Sequence, residues 1–92
     1  EFIAPAFGLL GAALENARRP AEAADAYRNA AGAADVDYLR ANYLVQAARA
    51  LMAAGRRDEA AQTLRDVIAR YPETPMTTEA EVRLAELTAG RM

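Results

Sequence analysis

The chain repeats a pattern of residues at a distance of 37 positions. The segment Arg19-Pro-Ala-Glu-Ala-Ala reappears as Arg56-Arg-Asp-Glu-Ala-Ala, and the same shift places Leu14 on Leu51. A fixed period of this size is typical of arrays in which successive helix pairs stack and share one core. No segment alternates apolar and polar residues with the period of a strand, so the sequence predicts an all-α fold.

Apolar spacing and helix-ending residues predict five helices. Their approximate ranges are 4–17, 20–31, 38–54, 57–71 and 78–89. Gly32 is expected to end the second helix, and either Asp35 or Asp37 to cap the third. Thr78 and Glu81 form a capping-box pattern, which predicts the start of the fifth helix at that point.

Alanine makes up much of the apolar part of the chain, so the core must depend on close helix approach and a few large side chains. Small residues that would allow this approach are Gly11, Ala23, Ala48 and Ala60. The large side chains expected on inner faces are Phe7, Leu10, Leu14, Tyr27, Leu39, Tyr43, Leu44, Leu51, Leu64, Val67, Ile68, Leu84 and Leu87.

The composition excludes several classes of function. A net charge of −2 offers no basic surface for nucleic acid. The chain has no histidine or cysteine, so the common zinc sites cannot form and no cofactor is expected. Carboxylate pairs such as Asp35/Asp37 and Asp58/Glu59 stand at helix starts, where the helix dipole explains them better than catalysis. No stretch is long and apolar enough to span a bilayer, and we expect neither enzymatic activity nor direct membrane contact.

Residues at fixed spacings complete the pattern of a known family. In the first unit they are Phe7, Leu10, Gly11, Leu14, Ala23, Tyr27 and Ala30; in the second they are Leu44, Ala47, Ala48, Leu51, Gly55, Ala60, Leu64, Val67 and Pro72. This pattern resembles the tetratricopeptide repeat (TPR), whose helix pairs stack into an array.

The resemblance implies a single domain over residues 1–92 with a TPR-like, right-handed array of helical hairpins. Repeat 1 would cover about 4–34 and repeat 2 about 37–72, followed by a helix at about 78–89 that caps the array or begins a third unit. The 37-residue period exceeds the usual length of about 34. Because Arg18 stands where a turn glycine is common, the first turn is expected to be less tight than the second.

The C-terminal segment contains Glu59-Ala-Ala, Tyr71-Pro and then Glu81-Val-Arg-Leu-Ala-Glu-Leu. In these strings it is similar to bacterial envelope TPR proteins, such as the ancillary subunit of the secretion translocon and the Tol–Pal-associated coordinator. Arginine as the only basic residue, together with much alanine, also favours a bacterial source. The chain starts at Glu1 without methionine, so we expect a fragment of a longer protein. The compartment stays open, with a periplasmic or envelope location through an upstream anchor as one alternative.

The resemblance also implies a concave face, lined by the first helix of each unit, that binds a peptide or protein. On one face of the first, third and fifth helices lie Ala12, Glu15, Asn16, Asn42, Val45, Arg49, Met52, Glu79, Val82 and Glu86. Asparagine and arginine would hydrogen-bond an extended peptide, and Val45 with Met52 would receive an apolar side chain. These residues are the predicted partner-binding site.

The sequence is compatible with two functions. The first is a non-enzymatic interaction scaffold or adaptor whose protein partner the sequence does not identify. The alternative is a structural segment that packs against the rest of its own chain or against a second copy. The arginine pairs 18–19 and 56–57 at the repeat turns are interpreted as solvated turn charge, with an acidic partner as the other reading.

Overall fold

A computed structural model describes residues 2–89 of the 92-residue chain. Within this range the chain forms five α-helices and no strand. The helices are α1 (Ile3–Asn16), α2 (Pro20–Ala33), α3 (Asp37–Ala53), α4 (Arg57–Arg70) and α5 (Met76–Ala89). The all-α class and the five helices predicted from the sequence are therefore confirmed.

The helices form two layers. Each helix packs against the next in the chain, and α5 also contacts α3. Side chains join alternate helices: Arg49 of α3 binds Glu15 of α1, and Arg28 of α2 lies 3.6 Å from Glu59 of α4. One layer therefore contains α1, α3 and α5, and the other contains α2 and α4. The principal-axis extents are 41 × 32 × 14 Å, so the array is a slab two helices thick.

Alanines dominate the core, as the composition predicts. Ala23 and Ala60, which are 37 residues apart, are both fully buried. The largest fully buried side chains are Tyr27, Leu51, Leu64 and Val67. Two predicted core residues are exposed, Leu10 by 47% and Leu39 by 40%. Six others are only partly buried, namely Phe7, Leu14, Tyr43, Leu44, Ile68 and Leu84. Helical periodicity identifies an apolar face, but it does not say whether a neighbouring helix covers that face.

The two hairpin turns contain the same backbone hydrogen bonds. The donor–acceptor pairs are Ala17–Ala13, Arg18–Glu15 and Arg19–Leu14 in the first turn, and Ala54–Ala50, Gly55–Met52 and Arg56–Leu51 in the second. Every pair in the second turn stands 37 positions after its counterpart, and all six N···O distances are 2.9–3.0 Å. The expectation of a looser first turn is therefore wrong. Arg18 adopts a left-handed φ of 61°, close to the 79° of Gly55.

Replacing Arg18 with glycine is expected to raise the free energy of unfolding by about 0.5–1 kcal/mol. The left-handed conformation costs a non-glycine residue about 1–2 kcal/mol, and the greater freedom of glycine in the unfolded chain offsets part of the gain. Urea unfolding measures the difference. The control is Arg19→Gly, which should be destabilising because Arg19 has a φ of −120°. A lower midpoint for Arg18→Gly would contradict a strained turn.

The ends of α2 and α3 differ from the sequence prediction. Gly32 lies inside α2, which continues to Ala33, and it does not end the helix. The buried residues Ala30 and Ala31 hold this last turn, so packing outweighs the low helix propensity of glycine. No side chain caps α3: Asp37 is its first residue and instead forms an ion pair with Arg40.

The start of α5 also differs, because the helix begins at Met76 and Thr78 lies within it. The predicted capping box therefore does not form. The hydroxyls of Thr74 and Thr77 both donate to the carbonyl oxygen of Tyr71, at 2.9 and 2.7 Å. These two bonds hold the turn between α4 and α5 and place the helix start earlier than the sequence pattern indicates. Among the described residues, none of the helices combines the length and apolarity needed to cross a bilayer.

Candidate functional site

A cleft lies between α3 and α5, and α4 contributes to its floor. One cavity of about 230 Å³ is lined by Ala48, Arg49, Met52, Arg57, Leu64, Arg83, Glu86 and Leu87. A second cavity of about 270 Å³ is lined by Asn42, Val45, Gln46, Arg49, Met76, Glu79 and Arg83. Arg49 and Arg83 border both cavities, so the two lie side by side, and they are named together here the α3–α5 cleft.

The α3–α5 cleft contains most of the residues predicted to bind a partner. Those that line it are Asn42, Val45, Arg49, Met52, Glu79 and Glu86. Val45 is 6% exposed and so belongs to the floor. Val82 is 52% exposed and lines neither cavity. Asn16, at the end of α1, is also exposed and lines neither cavity. Partner binding by these residues stays a prediction.

Two charged lining residues, Arg57 and Arg83, are absent from the predicted set. The sequence pattern places Arg57 at a repeat turn, where arginine is usually solvated. The sequence gives one indication that Arg83 belongs to the site. It follows the predicted lining residue Glu79 by four positions and so lies on the same face of the helix. In the structure, Arg83 donates to Glu79 at 2.7 Å.

Arg49 is tied to the first hairpin through one carboxylate. The Tyr27 hydroxyl donates to Glu15 Oε1 at 2.7 Å, and Arg49 donates to the same oxygen at 2.9 Å. Burial of the ring, followed by this hydrogen bond, raises the pKa of Tyr27 to about 12. The hydroxyl therefore stays protonated, and remains a donor to Glu15, well into the alkaline range. Arg49 thus joins α3 to α1, and a bound peptide would compete with Glu15 for it.

Arg57 has a different environment within the α3–α5 cleft. Its guanidinium donates to the backbone carbonyl oxygen of Leu87 at 3.1 Å, which links α4 to α5. That partner is neutral, whereas Arg49 and Arg83 each donate to a carboxylate. Arginine presents five N–H donors in a planar fork that matches carboxylate geometry. Arg57 is therefore the cleft cation best suited to receive an acidic group.

Two hairpins with equivalent turns, followed by a helix that packs on the second hairpin, define an array of helical hairpin repeats. Residues 43–74 match the family model of the tetratricopeptide repeat. The matched segment includes most of α3 and all of α4, and the match supports the resemblance seen in the sequence. No curated protein and no solved structure matches the chain. The similarity to bacterial envelope TPR proteins is accordingly not confirmed.

Proposed function

We propose that this chain is a non-enzymatic scaffold or adaptor that binds a segment of another protein in the α3–α5 cleft. A tetratricopeptide repeat indicates a role in protein–protein interaction in general terms. The observation that supports binding in the α3–α5 cleft is its lining, in which an apolar floor lies beside the Arg57 guanidinium.

The floor is suited to an apolar side chain. Leu64 and Leu87 are buried there, and Met52 is half-buried beside Ala48. Methionine has three rotatable bonds and adapts to differently shaped neighbours. The cavity of about 230 Å³ is smaller than the roughly 300–1,000 Å³ of sites for small molecules. It therefore favours one side chain of a bound segment over a free ligand.

The charge of the cleft favours an acidic segment. The α3–α5 cleft is lined by three arginines, Arg49, Arg57 and Arg83, and by two carboxylates, Glu79 and Glu86, so its charged lining sums to +1. A positive lining attracts a partner of opposite charge and disfavours a basic one. The preferred partner is accordingly a segment in which a large apolar residue stands next to an aspartate or glutamate.

Selection from a random peptide library, followed by fluorescence anisotropy on the selected peptides, tests the proposal. Arg57→Glu is expected to weaken binding at least about tenfold, because a charge-assisted hydrogen bond is replaced by repulsion. Arg65→Glu is the matched control: it makes the same charge change on α4, where Arg65 is exposed and lines neither cavity. Its binding should equal that of the wild type.

Circular dichroism melting must accompany both variants, since Arg57 also links α4 to α5. Selection of peptides without an acidic residue would contradict the proposed partner. Equal losses in the two variants would assign the effect to net charge instead of the cleft. Arg49→Glu is a poorer test, because it would place two carboxylates together beside Glu15.

A further inference from the structure

Glu15 stands at a place in α1 where a carboxylate is unfavourable. It is the last residue but one of the helix, and the helix dipole leaves a partial negative charge at that end. The side chain is only 26% exposed, so water screens this repulsion incompletely. The compensating contacts come from two other helices, because Arg49 of α3 and Tyr27 of α2 both donate to the carboxylate.

These two contacts hold the Glu15 carboxylate in one position. Arg49 Nη2 lies 2.9 Å from Oε1 and 3.2 Å from Oε2, so one amino group spans both oxygens. The Tyr27 hydroxyl donates to Oε1 at 2.7 Å, and because its ring is 2% exposed this donor is fixed by packing. Glu15 in turn holds the guanidinium of Arg49 and neutralises its charge.

The internal repeat relates Glu15 to the floor of the α3–α5 cleft. The residue 37 positions later is Met52, which lines the cleft. Glu15 lines neither cleft cavity, whereas Arg49, to which it is bound, borders both. Any effect of Glu15 on a bound segment must therefore pass through Arg49.

The other arginine–carboxylate pair of the cleft is a weaker constraint. Arg83 and Glu79 lie four residues apart on α5, with side chains 43% and 42% exposed. Exposed pairs of this kind contribute little, and their side chains separate readily. Glu15 differs because it is less exposed, belongs to another helix and is fixed by the Tyr27 hydroxyl.

We propose that Glu15 is a specificity-determining residue of the α3–α5 cleft, which limits the bound segment to one acidic residue, placed at Arg57. This role rests on the proposed function and specifies the partner further. A second acidic residue at Arg49 would have to displace a carboxylate that is already fixed there, and it would meet a like charge. At Arg57 the acceptor is the neutral carbonyl of Leu87, so an acidic residue meets no such competitor.

Glu15→Gln tests this role. Glutamine keeps an oxygen that accepts from Tyr27, but it no longer neutralises Arg49. Removing a negative charge from the end of α1 also favours the helix, so the fold should persist, which circular dichroism melting checks. The binding probes are a peptide selected on the wild type, with one acidic residue, and a series in which a second acidic residue is placed at each other position in turn.

Fluorescence anisotropy should show a gain confined to one part of this series. At least one peptide with two acidic residues should bind Glu15→Gln about three- to fivefold more tightly than it binds the wild type. The peptide with one acidic residue should change less than about twofold. Glu22→Gln is the matched control, since it makes the same charge change on α2, where Glu22 pairs with Arg19 away from both cavities. It should change neither affinity.

The outcomes separate this role from the proposed function. If Glu15→Gln bound every peptide like the wild type while Arg57→Glu still weakened binding, the role of Glu15 would be wrong and the proposed function would stand. A gain that persisted when Arg49→Gln was added would also overturn the role, because the effect would not pass through Arg49. Failure to select any peptide on the wild type would overturn both.

Discussion

Replacing Gly11 with alanine is expected to lower the free energy of unfolding by about 2 kcal/mol. A Cβ at this position of α1 would lie 2.7 Å from Cε1 of Tyr27 and 2.8 and 2.9 Å from two further ring atoms. The ring is 2% exposed and its hydroxyl is bound to Glu15, so it cannot move without loss of that bond. The contact between α1 and α2 must therefore open, at a cost larger than the gain in helix propensity of about 1 kcal/mol.

Gly32→Ala is the matched control for this change. Gly32 is also helical, but a Cβ there would have no atom within 4 Å. Only the helix propensity changes, so this variant should be more stable than the wild type by about 0.5–1 kcal/mol. Thermal unfolding followed by circular dichroism should separate the two variants by roughly 10–20 °C. Melting temperatures that shift in the same direction would contradict the contact between Gly11 and Tyr27.

Ala60→Leu is expected to lower the free energy of unfolding by about 1–3 kcal/mol. Ala60 lies in the first turn of α4 and is fully buried, as is Ala23 at the equivalent position of α2. Leucine adds three carbon atoms for which a close-packed contact has no space. Either the side chain takes a strained rotamer or α4 moves away from its neighbours, and both are destabilising.

Ala69→Leu provides the comparison for this second variant. Ala69 is on the same helix but is exposed, and surface substitutions of this kind usually change stability by less than about 0.5 kcal/mol. Urea midpoints of the two variants measure the difference directly. If Ala60→Leu unfolded at the wild-type midpoint, the burial of this alanine and the assigned packing register would both be wrong.

The sequence predicted those parts of the fold that depend on local pattern. The number of helices and the turn at Gly55 follow from apolar spacing and residue type, and the structure has both. The burial of Tyr27 and Leu51 follows from the same spacing. The 37-residue shift proved more informative than any single residue, because it relates six hydrogen bonds of two turns in one step.

Features that depend on neighbours were not predictable in this way. Arg18 takes a glycine-like conformation because the surrounding turn imposes it, which no propensity of arginine indicates. Leu10 has the spacing of a core residue but lacks a covering helix among the described residues. Arg57 reaches the α3–α5 cleft because α5 crosses above it, and buried Ala80 and Leu87 hold that crossing. Such a position depends on tertiary packing, so local pattern carries little signal for it.

The slab is only 14 Å thick, which bears on how the array could be lengthened or shortened. Each helix packs mainly on those beside it, and one cluster of buried residues runs from α2 to α5. In such an array the stability is close to a sum of terms for single repeats and for neighbouring pairs, so a hairpin added at one end extends the slab without rearranging it. The length of the array along its long axis can then change by whole hairpins, while the distances between the surfaces of the hairpins already present stay the same.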